Sequence, residues 1–425
     1  MRRVLLLAAT TGYQTRAFEE AAERLGVALT YATDRCDKLD DPWADDAIPI
    51  RFYDERRSVE AILERVRSTP VDGVLTVGDR PVVIAARVAK ALGLPGHPPE
   101  AADATRHKLR MRERLRGAGL PAPWFRDCPL DVSPAKLAAG VPLPCVIKPV
   151  ALSGSRGVMR ADDEAGFVAA FERLRALLRS PAVRAERPEG GEQVLVEAFI
   201  EGREFALEGL MTAGTLRVLA VFDKPDPLDG PFFEETIYVT PSSESPDTQE
   251  RIVVAVAAAA RALGLDHGPI HAECRVNDTG VFVLEVAARP IGGLCARALR
   301  FERTGAGSVP LEELLLHHAL REPTDGWARE ALASGVMMMP IPRRGIFRGV
   351  HRVEQARGVV GVEDVRVTAK PDQTLIPLPE GASYLGFIFA RAPRPAEVEQ
   401  ALRQAHARLE FAIDPEVRVV RSMHG

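Results

Sequence analysis

The sequence contains no long apolar run. A helix that spans a bilayer needs about 20 consecutive apolar residues, and the longest apolar-rich stretch, Ile252 to Ala260, is much shorter. The run from Val4 to Ala9 follows two arginines, but the Ala-x-Ala pattern of a signal-peptide cleavage site does not come after it. We therefore expect a buried helix at the first stretch, a β-strand at the second, and a cytoplasmic protein that does not enter a membrane.

An excess of one charge is also missing. The 55 Lys and Arg residues and 59 Asp and Glu residues give a formal net charge of −4, which predicts no electrostatic attraction to nucleic acid or to an anionic membrane. The five cysteines are scattered without a CxxC pair, which indicates reduced thiols and neither a disulfide framework nor a zinc site. At 425 residues, the chain exceeds what one hydrophobic core usually serves, so we expect several packed subdomains.

The first hundred residues alternate between short apolar runs and helical patterns. Such alternation predicts an open parallel sheet with right-handed crossovers, which is an α/β fold of the Rossmann-like kind. An ordinary dinucleotide-binding domain is the alternative, but the turn at Gly12 lacks GxGxxG, and the pattern does not occur elsewhere. Strands are predicted at 4–9, 27–33 and 73–78, and helices around 18–25, 59–67 and 81–93.

The most informative segment is an acidic β-hairpin. Two β-like runs flank Asp278–Gly280, a turn with glycine where a left-handed conformation is wanted. Centring the hairpin on Thr279 places Glu273 opposite Glu285. Two opposed carboxylates repel each other unless a cation lies over both, and magnesium binds carboxylate and phosphate oxygens. The same register pairs Val276 with Phe282 and Arg275 with Val283.

A solvated hairpin face with two scattered acids is the alternative interpretation of this segment. Arg289, four residues after Glu285, favours the metal site. A fixed guanidinium beside a metal pair is suited to an oxyanion or a phosphate.

A second signal is Lys148 at the end of an apolar strand, followed by the glycine loop Ser153–Gly157. A buried ammonium needs an anionic partner, and small residues let backbone N–H groups approach phosphate oxygens. The chain has no GxxxxGK[ST], so this loop is not a P-loop. A lone Gly/Ser loop is usually a plain turn, but a preceding strand-Lys-Pro predicts a phosphate lid.

A third signal runs from Val194 to Glu204, where an apolar strand meets an acid, two apolar residues and a glycine turn with more acids. A backbone segment of this kind can hydrogen-bond an adenine edge while a nearby carboxylate binds ribose hydroxyls. Many β-turns share this pattern, so it supports a nucleotide site only in combination with the other two signals.

In this order and spacing, the three signals and a basic helix over Ala101–Arg116 resemble the ATP-grasp superfamily over nearly the whole chain. The resemblance implies a role for each matching residue. It implies ATP-contacting lysines at Lys108 and Lys148, the mobile glycine loop at Gly154, Ser155 and Gly157, the adenine hinge at Glu197, Ala198 and Ile200, the ribose acid at Glu204, magnesium ligands at Glu273 and Glu285, and the catalytic arginine at Arg289.

The motif departs from many members of the superfamily at Ala287, where they carry an asparagine that completes the metal shell. Glu285-x-Ala-Ala-Arg289 is instead similar to the branch of L-amino acid ligases that make dipeptides, and the long tail of a biotin-carboxylase-like layout points the same way. The resemblance implies an α/β and α+β fold in four parts. These are a pre-ATP-grasp α/β domain (1–100), a first ATP-grasp lobe with the lysines and lid (101–190), a second lobe with the hinge and metal hairpin (191–328) and a C-terminal α+β subdomain (329–425).

The activity implied by the resemblance is ATP-dependent joining of a carboxylate and an amine through an acyl phosphate, with release of ADP and phosphate. It implies ATP and two Mg²⁺ ions, with Mn²⁺ as a substitute, small-molecule carboxylate and amine substrates, and a homodimer. Two alternatives are bicarbonate activation, as in the carboxylases of similar layout, and a nucleotide-binding protein with a degenerate site. The retained Lys148, Glu273, Glu285 and Arg289 argue against the latter, because binding alone would not require all four.

The substrate pocket is the least specified part of the sequence. In similar enzymes, the acidic loop after the hinge strands helps to form it, and here Glu234 or Glu235 is placed to hold a substrate ammonium. A solvated acidic loop is the alternative. Further pocket candidates are Phe232, His271, Ile291, Gly292, Gly293 and Arg297, with the small Gly293 consistent with a roomy pocket.

Overall fold

The computed structural model of the protein describes residues 1–9, 14–35 and 47–416. Its N-terminal region is a four-stranded parallel sheet in the order β3-β2-β1-β4, so the predicted open α/β sheet is confirmed. The predicted turn at Gly12 lies outside the described residues. The elements are β1 (Arg3–Ala8), α1 (Thr15–Leu25), β2 (Ala28–Thr33), β3 (Ile48–Pro49), α2 (Glu55–Ser68), β4 (Gly73–Val77) and α3 (Val82–Leu92).

The single basic helix predicted over Ala101–Arg116 is wrong. Two helices, α4 (Pro99–Arg106) and α5 (Lys108–Gly117), meet at His107, whose backbone is extended. The Nδ1 atom of His107 accepts a hydrogen bond from the Arg110 N–H at 3.4 Å and so caps α5. The break places Lys108 in the first turn of α5, where its own N–H donates to the Val150 carbonyl at 2.8 Å.

A second, antiparallel sheet carries the glycine loop. Its strand order is β5-β8-β6-β7, and one face is covered by a helix that buries Phe167, Phe171 and Leu174 completely. The elements are β5 (Phe125–Pro129), α6 (Pro134–Ala138), β6 (Cys145–Pro149), β7 (Met159–Ala161), α7 (Glu164–Leu178), α8 (Pro181–Glu186) and β8 (Gln193–Ala198).

The largest sheet holds the acidic hairpin. Along β9, successive side chains point to opposite faces, so Phe205 and Leu207 pack with α9 residues while Ala206 and Leu210 pack with the N-terminal core. The elements are β9 (Arg203–Thr212), β10 (Thr215–Asp223), β11 (Ile237–Thr240), α9 (Pro246–Leu263), β12 (Gly268–Asn277), β13 (Gly280–Ala287), a 3₁₀ turn (Cys295–Ala298), β14 (Arg300–Glu302), β15 (Val309–Pro310), α10 (Leu311–Ala319) and β16 (Ala328–Arg329).

The C-terminal part continues this sheet. Its order is β13-β12-β9-β10-β11-β17-β21-β19, so strands from both sides of the expected boundary at residue 328 share one sheet. The four-part division of the chain stays a prediction. The remaining elements are β17 (Ala333–Met339), β18 (Gly345–His351), α11 (Val353–Arg357), β19 (Val362–Val367), β20 (Thr374–Leu375), β21 (Gly386–Ala392), α12 (Pro395–Arg408) and β22 (Glu410–Asp414).

The sequence led to two further expectations, one about membrane-spanning helices and one about the state of the cysteine thiols. Among the described residues, every helix is too short or too polar to cross a membrane. The thiols of Cys128, Cys145, Cys274 and Cys295 are buried and free, as expected for reduced cysteines. Cys36 lies outside the described residues.

Candidate active site

The acidic hairpin places the two predicted metal ligands opposite each other. Strands β12 and β13 pair Glu273 directly with Glu285, as predicted. The next pair is Cys274 with Val283, so Leu284 is an extra residue in a bulge. The bulge compensates for a turn that is one residue tighter than expected, and the acids still meet on one face.

The turn itself corrects the predicted register. Asn277 pairs with Gly280, which leaves a loop of Asp278 and Thr279. The Oδ1 atom of Asn277 accepts hydrogen bonds from the N–H groups of Thr279 at 2.9 Å and Gly280 at 3.2 Å, which stabilises the tight loop. The predicted pairs Val276–Phe282 and Arg275–Val283 are therefore wrong, since the structure pairs Val276 with Val281 and Arg275 with Phe282.

Glu273 belongs to a largely buried group that we call the acid-rich cluster, which consists of Glu204, Glu235, Glu273, Lys224 and Tyr238. The Lys224 Nζ atom lies 2.8 Å from Glu204, 2.7 Å from Glu235 and 2.8 Å from Glu273. The Tyr238 hydroxyl donates to Glu235 at 2.7 Å. One ligand oxygen from each acid lies within 4.8 Å of the others. Closely spaced carboxylates are the donors that hard cations prefer, and in this structure the Lys224 ammonium is the cation among them.

The pKa values in the acid-rich cluster show how tightly its charges interact. Burial opposes the charged form of Lys224, but the three surrounding carboxylates hold its pKa well above the ordinary value. Burial and the charge of Glu273 raise the pKa of Glu235 to about 7. Burial also acts to raise the pKa of Glu273, but the charge of Lys224 holds it well below the ordinary value. The acids thus share one internal ammonium.

A second buried group, which we call the cation-rich cluster, consists of Arg112, Lys148 and Glu197. Arg112 donates to both Glu197 oxygens, at 2.7 and 3.3 Å, and the Lys148 Nζ atom lies 2.5 Å from Glu197. Burial acts to raise the pKa of Glu197, but the two cations lower it to about 2. Burial lowers the pKa of Lys148 to about 8 against the attraction of Glu197, and Arg112 adds to the lowering. One acid therefore balances two cations.

Lys108 connects the glycine loop to the metal hairpin. Its Nζ atom donates to the Leu152 carbonyl at 2.7 Å and lies 3.7 Å from a Glu285 oxygen. The lysine is almost completely buried. Each opposed acid of the hairpin therefore has an ammonium group beside it, Lys224 at Glu273 and Lys108 at Glu285.

The glycine loop reaches the cleft through only part of its length. Gly154, Ser155 and Gly157 all have positive φ values of 54 to 77°, and the first two line the cleft. The Gly157 N–H donates to the Pro379 carbonyl at 2.8 Å. A Cβ atom at Gly157 would lie 2.9 Å from a methyl carbon of Leu174. Glycine at position 157 is thus required for packing, and its amide is engaged away from the cleft.

The expected adenine hinge begins with Glu197 and Ala198 at the end of β8 and continues to Ile200 beyond it. The Ala198 N–H donates to the Trp124 carbonyl at 2.9 Å, and the Ile200 carbonyl accepts from Arg275 at 2.7 Å. Glu204, the expected ribose acid, is held by Lys224 and by Arg275, whose Nε atom lies 3.1 Å away. These contacts fix the hinge and the position of the Glu204 carboxylate.

Arg289 turns toward the N-terminal sheet. Its Nε and Nη2 atoms donate to the two carboxylate oxygens of Asp79 at 2.7 and 3.1 Å, and Nη1 donates to the Pro290 carbonyl at 2.9 Å. Nearby, the His271 Nδ1 atom lies 3.2 Å from Glu208. Burial opposes protonation of His271, but hydrogen bonds to Glu208 and Glu273 raise its pKa to about 9.

All predicted site residues except Gly157 line one cavity of 390 Å³. Of the pocket candidates, Glu235, His271, Ile291, Gly292 and Gly293 also line it. Two other candidates have partners elsewhere, since Phe232 packs under the Arg173 guanidinium and Arg297 pairs with Asp364. Glu234 is not among the residues that line the cavity.

Sequence reasoning missed four residues that organise the site. Arg112 lies one helical turn after Lys108, and this spacing was a usable signal. Asp79 follows a predicted strand at the carboxyl end of a parallel sheet, where ligands commonly bind. Lys224 and Tyr238 gave no local signal, because their importance depends on strands that are neighbours only in the folded sheet.

Comparison with known families identifies the architecture. Residues 141–298 match the ATP-grasp domain, residues 18–96 match the ATP-grasp N-terminal domain, and residues 337–414 match L-amino acid ligase C-terminal domain 2. The chain contains ATP-grasp domains and an L-amino acid ligase C-terminal domain. This family implies ATP and Mg²⁺ as ligands, and the closely spaced carboxylates beside lysines fit both.

Individual relatives are similar over different shares of the chain. The crystal structure of L-amino acid ligase from Bacillus licheniformis is 27% identical, with a TM-score of 0.82, and the match covers 97% of this chain and 99% of that one. Alanine–anticapsin ligase of Bacillus amyloliquefaciens is 28% identical over 52% of this chain and 49% of its own. Carnosine synthase 1 of Mus musculus is 28% identical over 58% of this chain and 31% of its own.

The chain therefore spans about half the length of the alanine–anticapsin ligase and about a third of the carnosine synthase. The predicted resemblance to the L-amino acid ligase branch of the ATP-grasp superfamily is confirmed. The predicted class, a ligase that forms carbon–nitrogen bonds, agrees with the names of these relatives.

Proposed function

We propose that the protein is an ATP-dependent carboxylate–amine ligase that joins two L-amino acids, or an amino acid and a related acid, through an acyl phosphate. One observation carries the proposal: Glu273 and Glu285 face each other in the same cavity as Lys108, Lys148 and Arg289. The names of the relatives, an L-amino acid ligase, an alanine–anticapsin ligase and a carnosine synthase, support an amino acid as one substrate.

The charges of the cavity favour a triphosphate on one side and metal ions on the other. Lys148 and Arg112 outnumber the single acid Glu197, so the cation-rich cluster favours an anionic ligand. Glu273 and Glu285 would hold two Mg²⁺ ions, with Mn²⁺ as a substitute, and the ions would neutralise charge on the γ-phosphate and polarise it. Gly154 and Ser155 line the side of the cleft where the lid would exclude water from the reaction.

Arg289 is placed to stabilise an oxyanion of the reacting carboxylate. Asp79 and Pro290 use one N–H on each of its three nitrogens, and each terminal nitrogen carries a second N–H. Those two donors are available to a carboxylate or to the oxyanion that forms when the amine attacks. Electrostatic stabilisation of such a developing charge is commonly a large part of catalysis.

Beyond Arg289 the cavity wall is mostly apolar and favours an uncharged substrate side chain. It is lined by Ile291, Cys295, Met338 and Phe387. Gly293 has a positive φ of 62°, and a Cβ atom there would lie 3.2 Å from the Phe387 ring. A bulky residue at position 293 would therefore collide with this wall. The carboxyl group of Glu235, in the same cavity, supports recognition of a substrate ammonium.

A homodimer and a cytoplasmic location belong to the same proposal. Both are supported by analogy with the superfamily. Size-exclusion chromatography with light scattering would test the dimer, and a mass of 46.2 kDa would indicate a monomer.

The experiment that tests the function is a phosphate-release screen of amino-acid pairs with Mg-ATP, followed by mass spectrometry of the product. We expect phosphate release that requires both a carboxylate and an amine, and a product of the mass of a dipeptide or related amide. Glu285→Ala and Arg289→Ala should abolish product while the protein stays folded. Bicarbonate-dependent ATP hydrolysis without an amine, or product formation by either variant at the wild-type rate, would contradict the proposal.

A further inference from the structure

Within the described part of the N-terminal sheet region, Asp79 is the acid that contacts Arg289. It follows β4, after Gly78, whose φ of +81° turns the chain at the end of the strand. The Asp79 carboxylate meets Arg289 in a two-point contact of 2.7 and 3.1 Å across a sequence separation of 210 residues. A fork of two parallel hydrogen bonds fixes the plane of a guanidinium as well as its position.

The contact is largely shielded from water. The Arg289 side chain is 11% exposed and the Asp79 side chain 22%. Burial acts to raise the pKa of Asp79, but the charge and hydrogen bonds of Arg289 hold it below the ordinary value, with smaller contributions from Lys108 and His271. The aspartate is therefore ionised beside the arginine.

Asp79 also lies where two cavities meet. It lines the 390 Å³ cleft described above and a larger cavity of 1340 Å³. Leu152, Ser153 and Ala382 line both as well. Asp79 is thus exposed to ligands on one side while it holds Arg289 on the other.

We propose that Asp79 is a positioning residue for the ligation reaction: it fixes the Arg289 guanidinium so that its free N–H donors face the reacting carboxylate. This inference rests on the proposed function. It adds that the N-terminal domain contributes directly to catalysis, because the residue that orients the arginine comes from that domain's sheet. Without the fork, Arg289 keeps its charge but can rotate about its side-chain bonds.

The first test is independent of any ligation activity. In protein labelled with [¹⁵N]arginine, the Nε–H of Arg289 should exchange slowly with water, and its resonance is identified by its loss in Arg289→Lys. In Asp79→Asn, which keeps the size of the side chain and removes its charge, we expect exchange at least tenfold faster. Unchanged exchange in this variant would overturn the proposal.

The second test measures kinetics with the amino-acid pair that the wild-type protein joins fastest. We expect Asp79→Asn to lower kcat by about 100-fold, since a small misplacement of a catalytic group has an effect of that order. The KM for ATP should change by less than about twofold, because ATP is not the ligand of Arg289 in this scheme. Asp79→Glu, which keeps the charge, should recover part of kcat.

A double-mutant cycle separates positioning from a merely structural role. If Asp79 acts through Arg289, Asp79→Asn should lower kcat by less than about threefold in the Arg289→Lys background. A full 100-fold loss in both backgrounds would contradict the proposal. If the wild-type protein joins amino acids and Asp79→Asn does so equally well, the positioning proposal fails while the proposed function stands.

The matched control is Glu313→Gln. Glu313 pairs with Arg24 of α1 at 2.9 Å, so this variant also removes an ion pair between the N-terminal region and the rest of the protein. The pair lies outside both cavities. We expect wild-type kcat and wild-type Arg289 exchange in this variant. A loss equal to that of Asp79→Asn would show that any contact of this kind is needed and would overturn the specific role of Asp79.

Discussion

The two clusters of the cleft differ in their proportion of acids to cations. In the cation-rich cluster, Arg112 and Lys148 share the single acid Glu197. In the acid-rich cluster, three carboxylates surround Lys224. The cation-rich cluster is almost fully buried, and in the acid-rich cluster the Glu235 and Glu273 side chains are 20% exposed. An unbalanced charge is costly in such surroundings.

This difference in composition indicates which charge a ligand must bring to each cluster. A site with a surplus of cations is completed by an anion, and a site with a surplus of carboxylates is completed by a cation. The acid-rich cluster lines the cavity of 390 Å³, and the cation-rich cluster reaches it through Lys148 and Glu197. A magnesium nucleotide presents both charges at once, so its binding would relieve the imbalance on both sides of the cleft.

The largest expected effect comes from weakening the acid-rich cluster. Glu273→Gln removes one proposed metal ligand. We expect kcat to fall by at least about 10³-fold, because charge stabilisation of phosphoryl transfer depends on the metal. Lys224 keeps Glu204 and Glu235 as partners, so the fold should survive. The measurement is phosphate release over a range of Mg²⁺ concentrations. The control is Glu234→Gln, the neighbouring acid outside the cavity; equal loss in both variants would contradict the comparison.

The next largest effect tests whether the cation-rich cluster is structural as well as functional. Arg112→Met removes a completely buried guanidinium that also donates to the Val283 and Leu284 carbonyls at 3.1 and 2.8 Å. Breaking a buried pair commonly costs about 3–5 kcal/mol, and we expect a loss of this size in urea unfolding. Arg110→Met removes two more exposed pairs, with Asp103 and Glu189, for which about 1 kcal/mol or less each is expected. Equal losses would show that burial of Arg112 is unimportant.

A smaller effect is expected from pH, through Lys148 of the cation-rich cluster. The pKa of Lys148 is lowered to about 8, so its positive charge is present below that pH and lost above it. We expect the affinity for ATP to fall by up to about tenfold between pH 7 and 9. A tenfold change corresponds to about 1.4 kcal/mol, the free energy of one pKa unit. Lys148→Arg should reduce this dependence, because arginine keeps its charge, while Glu235 and His271 still titrate in the same cavity. A wild-type affinity that rises over this range would contradict the assignment.

The smallest effect concerns three histidines, His97, His267 and His318, which lie away from both clusters. Nearby acids do not offset the effect of burial on their pKa values. Burial lowers the pKa values of His97 and His318 to about 4 and that of the stacked His267 below its usual value. The folded protein therefore binds these protons less well than the unfolded chain, and stability falls as the pH drops from about 6.5 toward 4. For His97 we expect a loss of about 1 kcal/mol between pH 7 and 5.5.

This histidine effect separates stability from function. Comparing urea unfolding of the wild-type protein and His97→Gln at both pH values gives the contribution of His97. The variant should lose less stability on acidification. If it loses as much as the wild-type protein, the buried histidine does not govern stability in this range.

How far the sequence predicted the site depended on whether the contacts were local. The pairing of Glu273 with Glu285 follows from one hairpin, and a bulge preserved it although the turn was shorter than expected. The placement of Lys148 at the end of a buried strand is equally local. These features depend on strand periodicity and turn chemistry, which a sequence records.

The partners of these residues depend on tertiary structure. Lys224 reaches Glu273 across a separation of 49 residues, because β10, β9 and β12 are neighbours in the large sheet. Arg289 finds Asp79 in another domain, and Gly157 donates its amide to Pro379 of the C-terminal part. No local pattern specifies such contacts, so the sequence predicted which residues matter without predicting what holds them.

In the proposed function, the two clusters divide the recognition of a magnesium nucleotide between them. The most direct test is calorimetry of ATP binding to the wild-type protein, Lys148→Ala and Glu273→Gln, each with and without Mg²⁺. We expect Lys148→Ala to weaken binding about tenfold or more in both conditions, and Glu273→Gln to weaken it only when Mg²⁺ is present. ATP affinity unchanged by Lys148→Ala, or lowered equally by Glu273→Gln with and without Mg²⁺, would contradict the account.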